Sequence, residues 1–265
     1  RWKIVRRKTE DTRGKGKITL TKATLAAEGL SKIYNGRKVV DGISMYMEQG
    51  EIVGLFGPNG AGKTTSFYMI IGFIKPNSGR IMLDGENITD LPMFMRARKG
   101  ITYLPQEPSV FKKMTVSDNL KAILEFLGVD SDMINHRVIE ILESFKLDHL
   151  AQNNADSLSG GERRRLEIAR ALMTSPRFML LDEPFSGIDP ISVSDLKKII
   201  YGLRQRGIGI LLSDHNVRES LPICDRAYVV NAGKVLLEGT PESVAQDRIV
   251  REVYLGEEFN IDVGT

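Results

Sequence analysis

Apolar and polar residues change period three times along the 265-residue chain. From Lys22 to Met47 two loosely alternating runs, Lys22–Tyr34 and Val39–Met47, flank Asn35-Gly36. Alternation with that dipeptide between the runs predicts an antiparallel hairpin. Glu51–Phe56 is a short apolar run and predicts a buried strand. Thr64–Ile71 predicts a helix, and Pro76-Asn77-Ser78-Gly79 a break. Arg80–Leu83 then reads as a strand closed by Asp84-Gly85, and Ile101–Leu104 as a strand stopped by Pro105. Between Val116 and His149 the period becomes helical: Val116, Leu120, Ile123, Leu124 and Leu127 share one face, as do Ile134, Val138, Ile141, Leu142 and Phe145. No strand signal falls between Phe111 and Arg177. Afterwards strands and helix alternate: Phe178–Leu181, Ser192–Arg206, Ile208–Leu212, Ala227–Val230 and Lys234–Leu237. This order predicts a largely parallel sheet with helices on both faces, and a helical insertion at about 110–175.

Composition changes the picture at the ends only. The hydrophobic share, 42%, and the charged share, 27%, are those of an ordinary globular chain. The net charge of +3 hides an asymmetry: residues 1–17 hold eight basic and two acidic side chains, leaving the remainder at −3. Residues 1–21 are read as a solvated basic extension, with an anionic surface as the lesser reading and nucleic acid not expected as a partner. No run approaches the ~18 apolar residues of a membrane span, and no apolar segment follows the charged start. Cys224 is the only cysteine. It excludes an internal disulfide, fits a reducing cytoplasm, and reads as a small core residue.

The candidate chemistry begins between the buried strand Glu51–Phe56 and the helix after it. Gly57-Pro58-Asn59-Gly60-Ala61-Gly62-Lys63-Thr64-Thr65 fits the phosphate-loop pattern G-x-x-x-x-G-K-[ST]. Glycines let backbone amides wrap a polyphosphate, and the helix N-terminus adds positive potential. Lys63 then neutralises β- and γ-phosphates, and the Thr64 hydroxyl ligates Mg²⁺. Phe178–Leu181 ends in Asp182-Glu183, either a strand end capped by charge or a metal ligand followed by a general base. Ser159-Gly160-Gly161-Glu162 reads as a helix start with a capping box, which also offers free amides to an anion.

These motifs together resemble the ATP-binding cassette (ABC) ATPases. Leu158-Ser159-Gly160-Gly161-Glu162 matches their signature, and the phosphate loop, Gln106, the signature, Asp182-Glu183, Ser186-Gly187-Ile188-Asp189 and His215 follow in the family's order. The resemblance implies an α/β phosphate-loop NTPase: a mostly parallel core sheet, an antiparallel β subdomain and an inserted helical subdomain within residues 22–265. It further implies ATP and Mg²⁺ as cofactors and a head-to-tail homodimer. In that arrangement Tyr34 stacks on adenine, Gln106 links Mg²⁺ and the attacking water to the transporter-facing surface, and His215 holds the γ-phosphate. Asp189 belongs to a loop that crosses the dimer, and Ser159, Gly160 and Gly161 close over ATP held by the other copy's Lys63. Ser-Gly-Ile-Asp at 186–189 departs mildly from the usual Ser-Ala-Leu-Asp.

The segments Phe67-Tyr68-Met69, Tyr103-Leu104-Pro105-Gln106-Glu107, Asp189-Pro190-Ile191-Ser192-Val193, Asp214-His215-Asn216-Val217-Arg218-Glu219 and Tyr254–Phe259 narrow the likeness. They are most similar to ATPase subunits of lipopolysaccharide exporters, over about Ala23 to Phe259. That implies two membrane-spanning partners, lipopolysaccharide as indirect cargo, and a peripheral place on the cytoplasmic face of the inner membrane. Phe111, Lys112 and Lys113 would help receive a partner's coupling helix, although Phe111 reads equally as core. Branched-chain amino-acid importers and soluble assembly ATPases of the same family are the alternatives.

Overall fold

A computed structural model describes residues 22–256 and Phe259; the basic extension 1–21 lies outside the described residues. Strands β1 (Thr24–Tyr34) and β2 (Arg37–Glu48) pair antiparallel across Asn35-Gly36, both left-handed with φ 49° and 77°. The turn fits because two successive positive φ values match the twist of a hairpin. β4 (Ser78–Leu83) and the short β5 (Glu86–Asn87) complete a four-stranded sheet in the order β2-β1-β4-β5.

The second sheet orders six strands as β10-β9-β3-β8-β7-β6. β3 (Ile52–Phe56), β6 (Ile101–Leu104), β7 (Phe178–Asp182), β8 (Gly209–Ser213) and β9 (Arg226–Asn231) are parallel, and β10 (Lys234–Gly239) adds an antiparallel edge. Period-two alternation divides these strands between two cores. Ile52, Phe56, Met179, Leu181, Ile210, Leu212 and Val229 face one side. Val53, Leu55, Phe178, Leu180, Leu211, Tyr228 and Val230 face the other.

Helices α3 (Val116–Phe126), α4 (Ser131–Ser144), α5 (Gly160–Leu172) and α6 (Pro190–Gln205) cover the first side. The second side carries a helix, as the sequence predicts, and the antiparallel sheet besides. It is covered by α1 (Lys63–Ile71) together with the antiparallel sheet. The apolar alternation of Leu25, Ala27, Leu30, Val40, Ile43, Met45 and Met47 supplies the reason, since that face must be buried and the core sheet is what it packs against. Among the described residues no helix is long and apolar enough to cross a membrane.

One feature without apolar periodicity fixes α1. The six-residue α2 (Met93–Arg98) delivers Arg96, which is fully buried. Its Nε donates to Leu91 O (2.8 Å), Nη1 to Met69 O and Ile70 O (2.8 and 2.6 Å), and Nη2 to Thr89 O (2.7 Å). The cation thus sits on carbonyls of the last turn of the helix whose N-terminus carries the phosphate loop. Burial draws its pKa down to about 10, so it remains charged. Arg96→Met should cost about 3 kcal/mol, because several buried carbonyls lose their donor. In a thermal melt the midpoint should fall by roughly 6–12 °C; an unchanged midpoint would contradict this role.

Candidate functional site

Four neighbouring strands, β3, β8, β7 and β6, end at one edge of the core sheet, and each hands its next residues to that edge. β3 runs into the phosphate loop. Gly57 is buried at φ 145°, and a Cβ there would stand 2.0 Å from Val230 O on β9. No side chain fits, so the loop lies flat against the sheet. Asn59 and Gly60 are exposed, Ala61 is buried, Pro58 and Gly62 are half-buried, and Lys63 turns back beneath them. Its Nζ donates to Gly57 O (2.7 Å) and Pro58 O (3.1 Å). Burial lowers the Lys63 pKa, while the charges of Glu183, Asp182 and Asp214 oppose that shift. Thr64 is exposed and Thr65 half-buried on the first turn of α1.

At the end of β7, Asp182 is only 4% exposed. It accepts Ser213 Oγ at Oδ1 (2.6 Å) and Tyr103 Oη at Oδ2 (3.1 Å), and among the described residues it forms no ion pair. Burial raises its pKa, as it does for the neighbouring Asp214. Glu183 follows at φ 46°, with its amide donating to Ser213 O (2.8 Å). Its Oε2 accepts Gln106 Nε2 (2.8 Å), and His215 Nδ1 lies 3.2 Å from the same oxygen. The structure therefore brings Lys63, Asp182, Glu183, Gln106 and His215 together.

The signature residues form a second constellation. Ser159 caps α5: its Oγ accepts from Glu162 N (3.3 Å), and Glu162 Oε2 accepts from Ser159 N (2.8 Å). Ser159 and Gly160 are exposed, whereas Gly161 is buried, and a Cβ on it would strike Ser192. Asp189 caps α6 by accepting from Ser192 N (2.9 Å). Tyr34, at the end of β1, is 45% exposed with the Lys32 ammonium 5.4 Å above its ring. Phe111 is exposed beneath the Arg170 guanidinium (4.3 Å), which removes the core reading. Cys224 is buried with its thiol pKa pushed up, consistent with a core residue and not a nucleophile.

Sequence reasoning missed Tyr103, a donor to Asp182, and three further contributors. The Tyr254 hydroxyl, from the C-terminal turn Arg251–Leu255, is buried beside the Gly57 backbone at a geometry short of a hydrogen bond, and its pKa is raised to about 12. Arg164 and Glu167 form a buried ion pair (2.9 Å) on α5. Arg164 also donates to Pro105 O (2.8 Å) and Asp182 O (3.0 Å), and Glu167 Oε1 accepts from Ser109 N (2.8 Å). Their signal was present: opposite charges at i and i+3 share a helix face with the buried Ile168 and Leu172.

The family model described as ABC transporter matches residues 40–186. The chain belongs to the ABC transporter ATP-binding family. A second model, described as the branched-chain amino acid ATP-binding cassette transporter, matches residues 234–260 of this ABC ATPase. The chain is 54% identical over 238 residues to the lipopolysaccharide export system ATP-binding protein LptB of Haemophilus influenzae, covering 89% of this chain and 99% of that protein. It is 52% identical over 240 residues to the protein of the same name from Escherichia coli K12, covering 90% and 100%. Among solved structures, the ADP conformation of MJ1267, an ATP-binding cassette of an ABC transporter, superposes with a TM-score of 0.79 at 32% identity, covering 89% of this chain and all of that one. The expectation of an ABC-type α/β ATPase is borne out.

The donor set also fits a hard cation. Asp182 is a buried carboxylate with one hydroxyl donor on each oxygen and, among the described residues, no ion pair. One carboxylate, one hydroxyl and substrate phosphates suit Mg²⁺. For the ion pair, Arg164→Met alone should cost about 3–5 kcal/mol by stranding a buried carboxylate, and Glu167→Leu added to it should restore much of that loss. Denaturant titration reads both steps. The double variant should nevertheless hydrolyse ATP poorly, because Pro105 and Ser109 on either side of Gln106 lose their anchor; full activity in it would remove the pair from the site.

Proposed function

We propose that this ABC ATPase works as a head-to-tail homodimer that powers export of lipopolysaccharide through two membrane-spanning partners. The chain would sit peripherally on the cytoplasmic face of the inner membrane. The export reading rests on one observation above the others: 52–54% identity that runs through essentially the whole length of lipopolysaccharide-export relatives. The pairing is supported by the signature cap, which is satisfied within itself. Among the described residues no hydrogen bond joins the Ser159 side chain to the phosphate loop; it is satisfied within its own cap.

In this reading Gly57–Thr65 cradle the phosphates, with Lys63 at the β- and γ-positions and Tyr34 against adenine. Thr64, Asp182 and Gln106 hold Mg²⁺, which supplies charge neutralisation at the phosphates. Glu183 accepts the proton of the attacking water, His215 steadies the γ-phosphate, and Ser159, Gly160 and Gly161 of the second copy complete the shell. Asp189 lies on the loop that faces that copy. Phe111, exposed just beyond Gln106, with Lys112 and Lys113 beside it, forms part of the surface that meets a membrane partner. The C-terminal match to branched-chain amino-acid cassettes favours an importer as the second reading, but it spans residues 234–260 alone.

Glu183→Gln keeps the shape and removes the base. Hydrolysis should fall at least about 100-fold while ATP binding persists and dimers accumulate on gel filtration with ATP. Normal turnover in that variant would exclude Glu183 as the base. The same variant, trapped with ATP in membranes, should co-purify with two membrane subunits of an exporter; recovery of an amino-acid permease would select the importer instead.

A further inference from the structure

One hydrogen bond at the site comes from a donor outside the proposed machinery. Tyr103 lies on β6, paired with Leu180 of the adjacent β7. Leu180 and Asp182 are two residues apart on one strand and point to the same face. A tyrosine side chain beside Leu180 is therefore directed along the strand toward Asp182, and its Oη donates to Asp182 Oδ2 at 3.1 Å. The ring is held in place from the opposite side. Tyr68 on α1 packs edge-on against it, with centroids 6.1 Å apart at 83°, and Phe73 backs Tyr68 at 5.1 Å and 63°.

The bond has a geometric consequence. Ser213 Oγ donates to the other oxygen, Oδ1, at 2.6 Å. Two donors, one per oxygen and from strands on either side of β7, leave the carboxylate a single orientation. Each oxygen keeps a lone pair for a further partner. With Ser213 alone only one oxygen is held, and the plane of the carboxylate is less tightly set. Phenylalanine would fill the space of Tyr103 and supply no donor, so the hydroxyl, not the ring, performs this task.

We propose that Tyr103 is a positioning residue for metal binding: through its hydroxyl it holds the Asp182 carboxylate in the orientation that receives nucleotide-bound Mg²⁺. The proposal rests on the reading that Asp182 faces that cation. Outer-shell partners of metal ligands typically contribute 10–100-fold in metal affinity.

The test is Tyr103→Phe in the full chain, with three measurements. Mn²⁺ binding to the protein–ADP complex is followed by electron paramagnetic resonance, the Mg²⁺ dependence of ATP hydrolysis is titrated, and nucleotide affinity is measured in EDTA. Metal half-saturation should rise about tenfold in both titrations, with hydrolysis recovered as Mg²⁺ is raised, while nucleotide affinity in EDTA and the melting midpoint stay close to those of the parent. Unaltered metal half-saturation would overturn the proposal, and so would an equal loss of nucleotide affinity in EDTA, which would mark a structural role. Asp182→Asn keeps the two readings apart. If it abolishes Mn²⁺ binding and Tyr103→Phe does not weaken it, Tyr103 alone is wrong; if Asp182→Asn binds Mn²⁺ like the parent, the assignment of Asp182 fails first.

Discussion

The buried pair Arg164–Glu167 fixes how the two halves of this molecule meet. Both side chains are buried, and the cost of desolvating two charges is large. Attraction at 2.9 Å offsets it only because the remaining hydrogen-bonding capacity is also used, on Pro105 O, Asp182 O and Ser109 N. The accounting is not complete, since Arg164 Nε is buried without a partner. Such a pair contributes little net stability compared with apolar packing. What it does supply is register. Helix α5 carries the signature at its N-terminus, and this pair ties its second turn to the loop holding Gln106 and to the end of β7. A shift of α5 would therefore move the backbone on either side of Gln106 and at Asp182.

The phosphate loop is constrained from the opposite direction, by space. Val230 O leaves no room for a side chain on Gly57, and the Lys63 ammonium braces the loop from within through the Gly57 and Pro58 carbonyls. Arg96 holds the far end of the same helix. One end of α1 is thus set by sterics and the other by a cation on carbonyls. The antiparallel sheet packs over both, which is why the second face of the core sheet needs so few helices.

Much of this was legible in the chain. Ile101–Leu104 was bounded correctly because Pro105 cannot continue a strand in the middle of a ladder, and Asn35-Gly36 gave its turn because both positions require positive φ. The phosphate loop is a local pattern and was read locally. The contributors that were missed act across the chain. Tyr103 meets Asp182 at a separation of 79 residues, Arg164 reaches Pro105 across 59, and Tyr254 returns to Gly57 from the C-terminal turn. A single tyrosine or arginine carries no periodicity that announces its partner. Helix α2 escaped for a related reason: six residues are too few to show a 3.6-residue repeat, and its purpose lies in one buried arginine.

The arrangement at Glu183 shows what strand order adds to a motif. In extended backbone, successive side chains point to opposite faces, so Asp182 and Glu183 could not both serve one site. The left-handed turn at Glu183 breaks that alternation at a cost of about 1–3 kcal/mol for a non-glycine residue. The surroundings hold it there: its amide is bound to Ser213 O, and its Oε2 is met by Gln106 from the end of β6 and by His215 from the end of β8. β6 and β8 are the strands on either side of β7, so one carboxylate oxygen is gripped from both neighbours while Oε1, among the described residues, has no hydrogen-bond partner. A carboxylate gripped in this way stands beside Asp182, one residue earlier, and the charges of both bear on Lys63. The strained turn and the flanking strands are thus two parts of one geometric requirement: a carboxylate turned out of the strand's alternation and held from both sides.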